Sequence, residues 1–203
     1  LSTFIDTWPN QFVYKKYFAL CQITDTHARD LNVKRVFEFS ESKMAGCIDV
    51  FAHTGDIELE AAQDYKGGGD KFVEYIRNSK KPWLVVLGNH DTCRTAHSNA
   101  FYYNRFLKPL VDKGYLSLGT DIEEGTTWWK KKYDDYKVVV IGICDYDSLY
   151  EQGFVEEWNL SQRYSQEQLD WLVATLKAVP AGYTVILLRH AYDAFIKDDD
   201  EWS

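Results

Sequence analysis

Three short polar clusters hold the residue types that metal binding and proton transfer need: Asp25-x-His27, Gly55-Asp56 and Gly88-Asn89-His90-Asp91. Each follows an apolar run, the plainest being Pro82 to Leu87 ahead of Gly88. A buried strand that ends in Asn, His and Asp carries amide, imidazole and carboxylate groups to one rim of a sheet, where a phosphate can bind. The alternation in Asp25-x-His27 lets both side chains turn toward one ion as a strand opens into a loop. A later histidine, His190, also ends an apolar run.

The elements that must position these groups are legible as five apolar runs: Tyr17 to Thr24, Cys47 to Ala52, Pro82 to Leu87, Lys137 to Ile143 and Tyr183 to Leu188. They end in turn at Asp25 and His27, His53 and Asp56, Asn89 and His90, Asp145 and Asp147, and His190. Continuous rather than alternating apolar runs predict strands covered on both faces. Between them lie helical patterns. Gln166 to Val179 is predicted to bury Leu169, Leu172, Val173 and Leu176, with Ser165 as N-cap and Gln168 completing a capping box. Leu31 to Met44 and Phe72 to Arg77 are further candidates, the second entered after Gly67-Gly68-Gly69. Asn99 to Val111 is predicted to kink or end at Pro109. Tyr115 to Tyr136 reads as strand, turn, strand, with Glu124-Gly125 near the turn.

With 203 residues and 45% hydrophobic content the chain can bury one sizeable core, so a single domain over 1–203 is expected, its core at about 17–191. A net charge of -8 argues against broad nucleic-acid binding. A local phosphate site is still allowed, because bound cations invert the local field. The scattered Cys21, Cys47, Cys93 and Cys144 form no CxxC pair and are expected to be free thiols. No run approaches the roughly 18 apolar residues of a membrane span, and the start lacks a basic-then-apolar signal, so a soluble chain is expected.

The ordered set Asp25-x-His27, Gly55-Asp56, Gly88-Asn89-His90-Asp91 and His190 resembles the calcineurin-like metallophosphoesterase family, over about residues 17 to 191. Any one motif is weak; their order at successive strand ends is specific. Ser165 to Leu172, ahead of the His190 strand, is also similar to what that family carries there. The resemblance implies an α/β fold: a β-sandwich of two mixed sheets flanked by helices. It implies hydrolysis of a phosphoester with two divalent cations, for which Mn, Fe and Zn all suit mixed carboxylate, imidazole and amide ligands. Such a pair, about 3.5–4 Å apart, lowers the pKa of a water and clamps phosphoryl oxygens during in-line attack. By the same resemblance Asp56 bridges the metals, Asp25 and His27 serve the first, and Asn89 and His190 the second. His90 is then the proton donor to the leaving oxygen, and Asp91 orients its imidazole.

The chain departs from the family pattern in having no GHxH segment, whose two histidines complete the metal shells. Thirteen residues follow His190, and the first residue is Leu1 rather than Met. The expectation is a fragment of a longer protein, its fold incomplete at the C-terminus; the other reading is a degenerate member with open metal sites. Two functional classes therefore stand side by side: a dinuclear metal-dependent phosphomonoesterase or phosphodiesterase acting on a phosphorylated substrate, and a non-catalytic binding module that keeps the fold. A P-loop protein is disfavoured because no GxxxxGK[ST] is present, and a serine hydrolase because no GxSxG elbow is. Away from the motifs, His53 reads as a satisfied strand-end histidine, and Arg94 and His97 as solvated loop residues. Trp128-Trp129 with Lys130 to Lys132 reads as a solvated hairpin with one or two buried rings.

Overall fold

The structure, a computed structural model, describes residues 17–27, 30–57, 68–92, 98–144 and 164–190, apart from the side chains of Asp30, Asn89 and Thr92. Six strands form two three-stranded sheets. In the first, β1 (Leu20–Ile23), β2 (Val50–Thr54) and β3 (Trp83–Val86) run parallel in the order β1-β2-β3. In the second, β5 (Val138–Gly142) lies between β4 (Trp129–Tyr133), antiparallel to it, and β6 (Thr184–Leu188), parallel to it. The helices are α1 (Asp30–Ser40), α2 (Gly68–Asn78), α3 (Asn89–Thr92), α4 (Asn99–Tyr102), α5 (Lys108–Asp112) and α6 (Gln166–Ala178). No helix among the described residues is long and apolar enough to cross a membrane.

Register decides the layers. Trp129 pairs with Gly142 and Tyr133 with Val138, so these residues share one face of the second sheet, while Lys130 and Lys132 share the other with Ile141 and Val139. The first face joins the core that holds β2 and β3; the second packs Val139, Ile141 and Ile143 against Trp171, Leu172 and Val179 of the α6 region. On the far side of the first sheet, Phe37 of α1 stacks on Trp83 at 4.4 Å and Phe51 lies 5.1 Å from the same ring. The order of layers is therefore α1 and α2, first sheet, second sheet, α6.

One buried indole stitches the two sheets. Trp129, fully buried, donates its Nε1–H to the Val85 carbonyl of β3 at 2.7 Å. Gly142 makes room for that ring, since a Cβ there would lie 2.3 Å from it.

Several expectations change. β2 begins at Val50, because Lys43–Cys47 is a 3-10 turn, and Asp49 anchors the strand entry by accepting from Ala19 N–H and Tyr136 O–H, each at 2.8 Å. The hairpin lies between β4 and β5 rather than around Glu124-Gly125: Lys137 takes a left-handed conformation at φ 54° in the turn, and Leu118 and Ile122 form only an isolated bridge. Helix continues past Pro109 because a π turn, Tyr103–Leu107, precedes it and Pro109 falls in the first turn of α5, where no N–H is required. Ser165 does cap α6, accepting from Gln168 N–H at 3.1 Å. Gln168 does not return the bond: its amide is buried, with no partner among the described residues. The helix is turned so that Gln168, Leu172, Thr175 and Val179 face inward, which leaves Val173 and Leu176 exposed. Trp171 and Leu172 decide that rotation, since they bring the larger apolar surface to Val139, Ile141 and Ile143. β6, expected to be covered on both faces, is exposed at Thr184, Val185 and Leu187. Cys21, Cys47 and Cys144 form no disulfide with one another, and the buried Cys144 donates its Sγ–H to the Thr127 carbonyl; Cys93 lies outside the described residues.

Trp129→Phe is expected to lower the unfolding free energy by about 1–3 kcal/mol, the range for leaving a buried carbonyl such as that of Val85 without its donor. Chemical denaturation checks this, and a midpoint equal to wild type would remove the indole bond from the account of how the sheets are held.

Candidate metal centre

Because β1, β2 and β3 are parallel, their C-terminal ends open on one rim, and the loops that follow carry Asp25 and His27, Asp56, and His90 and Asp91. Backbone bonds tie the first two loops together: Asp25 N–H donates to Gly55 O at 3.0 Å and His27 N–H to Asp56 O at 2.9 Å. Four non-glycine residues take positive φ among the described residues, and three of them are Asp25 (56°), His27 (46°) and Asp56 (55°). Left-handed backbone costs a non-glycine residue roughly 1–2 kcal/mol, so three such residues in one cluster mark a local conformation imposed by tertiary contacts.

Close approach of the loops requires bare backbone at two positions. A Cβ on Gly88 would lie 2.2 Å from Asp56 N and Oδ1, and one on Gly55, itself at φ 96°, would lie 2.5 Å from the His190 ring. Asp56, 3% exposed, sits between them. Its Oδ1 accepts from His90 N–H at 3.0 Å and lies 3.3 Å from His190 Nε2. Its Oδ2 lies 3.7 Å from His27 Nε2 and 4.0 Å from His90 Nε2.

His190 reaches the cluster from the end of β6, in the second sheet. Its Nδ1 lies 2.7 Å from the Thr54 carbonyl. A carbonyl can only accept, so Nδ1 carries the proton and Nε2 is the nitrogen presented to Asp56. Burial alone would raise the Asp56 carboxyl, but the His190 hydrogen bond, the His90 N–H and the two imidazoles hold it below the usual carboxylate range. Burial likewise works to lower His190, and the Asp56 bond and charge, with the Thr54 carbonyl, carry it above the ordinary imidazole value.

The donor atoms form two overlapping groups, each with all its atoms within 4.8 Å of one another: His27, Asp56 and His90, and Asp25, Asp56 and His190. Carboxylate and imidazole in this mixture are the donors that Mn, Fe and Zn accept, and buried His27 Nδ1 has no hydrogen-bond partner among the described residues. The residues present fit a pair of divalent cations. Asp25 falls in one group and His27 in the other, yet the two are neighbours, His27 Nε2 lying 3.7 Å from Asp25 Oδ1, and His90 stands among the donors. Asn89 opens α3, but its side chain lies outside the described part of the structure, as do residues Arg94, His97, Asp145 and Asp147. Asp91, fully buried, accepts from Gly88 N–H at 2.7 Å and so holds the turn that carries His90.

Two residues without a predicted role belong to the same neighbourhood. His53 of β2 is fully buried, with Nε2 3.0 Å from Thr26 Oγ1, and Thr26 separates Asp25 from His27. Its Nδ1 has no partner among the described residues, so within them it is half-satisfied rather than satisfied. The sequence signal was present in its place three residues before Asp56, in the strand that delivers the shared carboxylate.

Fold and donor set together define a class: an α/β sandwich that gathers metal-ligand side chains at the rim of a parallel sheet. Within that class, the sequence profile of the calcineurin-like phosphoesterase family matches residues 18–200, and the chain belongs to that family. Among solved structures, a dimetal phosphatase from Danio rerio superposes with a TM-score of 0.54 at 13% identity, covering 85% of this chain and 69% of that one. The likeness is one of fold. No curated protein matches the chain at the sequence level.

Burial lowers the His53 imidazole to about 3, with His190 adding to the effect, against an ordinary value of 6.5. Below 6.5 the unfolded chain takes up a proton that the folded chain refuses. Stability linked to His53 is thus complete above pH 6.5 and is lost as pH falls toward 3, by an amount on the order of a few kcal/mol. Denaturation midpoints between pH 7 and 4 are expected to fall more steeply for wild type than for His53→Gln; parallel curves would contradict the assignment. In addition, Gly88→Ala is expected to cost at least about 2 kcal/mol, because its methyl group overlaps Asp56. The same denaturation series checks it.

Proposed function

We propose that this chain hydrolyses a phosphoester at a two-cation site centred on Asp56. The observation that carries the reading is that Asp56 is common to both donor groups, so one buried carboxylate stands where two cations would share a ligand. Asp25 and His27, 3.7 Å apart, serve one cation, and His190 serves the other. Asn89, next to His90 in the turn, is assigned to the His190 side. The cations, when bound, would supply Lewis-acid polarisation of the phosphoryl group and an activated water for in-line attack.

The remaining work falls to the chain's own residues. His190 is held by the Thr54 carbonyl in the tautomer that presents Nε2. His90 is assigned to protonate the leaving oxygen, and its Nε2 is 4.0 Å from Asp56 Oδ2. Asp91 supports His90 through the turn, by its bond to Gly88 N–H. The substrate is a phosphorylated compound, as monoester or diester, and Mn, Fe and Zn are all compatible with the donors.

Metal content and hydrolysis of p-nitrophenyl phosphate and bis(p-nitrophenyl) phosphate test this together. Asp56→Asn is expected to lose both metal and activity. His90→Asn is expected to keep most of its metal while kcat falls by roughly 10²–10⁴, the range for a general acid. Unimpaired hydrolysis in both variants would sink the assignment, and a wild-type protein that takes up no metal would favour a binding module on the same fold.

A further inference from the structure

We propose that His53 and Thr26 form a positioning pair, in which the buried imidazole anchors the Asp25-to-His27 loop so that its two side chains are held at the Asp56 carboxylate. The proposal rests on the metal-site reading above, but its geometry stands apart from that reading. Thr26 is the residue between two left-handed neighbours, Asp25 at φ 56° and His27 at φ 46°. That arrangement turns the side chains of Asp25 and His27 toward the rim, while Thr26, 6% exposed, turns inward. There its hydroxyl meets His53 Nε2 at 3.0 Å.

His53 is well placed to act as a fixed post. It lies in the middle strand of the first sheet, in register with Ile23 of β1 and Val85 of β3, and its ring meets Phe72 of α2 edge-on at 5.1 Å. The loop it holds is strained, and its other anchors are the backbone bonds from Asp25 N–H to Gly55 O and from His27 N–H to Asp56 O. Both of those bonds reach the Gly55-Asp56 turn. The Thr26 bond is different in kind, because it reaches the rigid body of the strand. A hydroxyl-to-imidazole bond in a buried setting is also directional, so it fixes the rotation of the Thr26 unit as well as its distance. Groups that support metal ligands in this way typically change metal affinity by 10–100-fold when removed.

The test uses Thr26→Val, which keeps the shape and removes the hydroxyl, with Thr26→Ser and His53→Gln as variants that keep a hydrogen-bonding group. Two readouts on the full chain are needed: amide hydrogen exchange at Asp25 and His27 without metal, and Mn²⁺ or Zn²⁺ affinity by calorimetry with the metal alone. Thr26→Val is expected to speed exchange at His27 by tenfold or more and to weaken metal affinity about tenfold. Thr26→Ser is expected to match wild type in both, and His53→Gln to lie between. Faster thermal unfolding or a lower Tm in Thr26→Val, with exchange and affinity unchanged, would overturn the proposal in favour of ordinary packing. If wild type binds no metal, the site reading fails, and the exchange comparison alone decides whether the pair positions the loop.

Discussion

Asp56 places a carboxylate with 3% exposure at the meeting point of both sheets, and the local structure is arranged around the cost of putting it there. A buried carboxylate must be hydrogen-bonded or paired. Here the partners come from three separate parts of the chain: the His90 amide, the His27 and His90 imidazoles, and the His190 imidazole from the end of β6. The first sheet supplies most of them and the second supplies His190, so the sandwich must be assembled before the carboxylate is compensated. The same convergence makes Asp56 common to two sets of metal-ligand atoms.

Convergence of this kind is a matter of backbone distance. Gly55 and Gly88 let the β2 and β3 loops touch, and a side chain at either would collide with His190 or Asp56. In exchange, Asp25, His27 and Asp56 accept left-handed backbone, which the hydrogen bonds to Gly55 O and Asp56 O and the Thr26 to His53 contact offset. Strain concentrated on the chemistry-bearing residues is consistent with a site whose geometry is set by the fold. Beneath it, the aromatic layer of Phe37, Phe51, Phe72 and Trp83 supports one side of the first sheet, and Trp129 ties the other side to the second sheet. Large, fully buried rings with few rotatable bonds suit this role, because they fix the spacing of layers at little entropic cost.

Strands β1, β3, β5 and β6 were legible because apolar runs bounded by polar clusters survive in any context, and the motif order at their ends named the family. The hairpin was misplaced because Glu124-Gly125 looks like a turn locally, whereas pairing is decided by what β5 can bury on each face. The face of α6 was misjudged for a related reason. Helical periodicity gave the candidates Leu169, Leu172, Val173 and Leu176, but the second sheet selected the side that carries Trp171, Leu172 and Thr175.

The sequence by itself determined the chemistry available: which carboxylates and imidazoles exist, and that Asp25, His27, Asp56, His90 and His190 follow strand ends in a family-specific order. Spacing along a chain carries no information about which donors meet at Asp56, or that His53 would reach Thr26. Those relations are set where loops from different strands are pressed together by sheet packing and glycine contacts. Only the tertiary structure decided that Asp25, His27, His90 and, from the second sheet, His190 converge on one buried carboxylate.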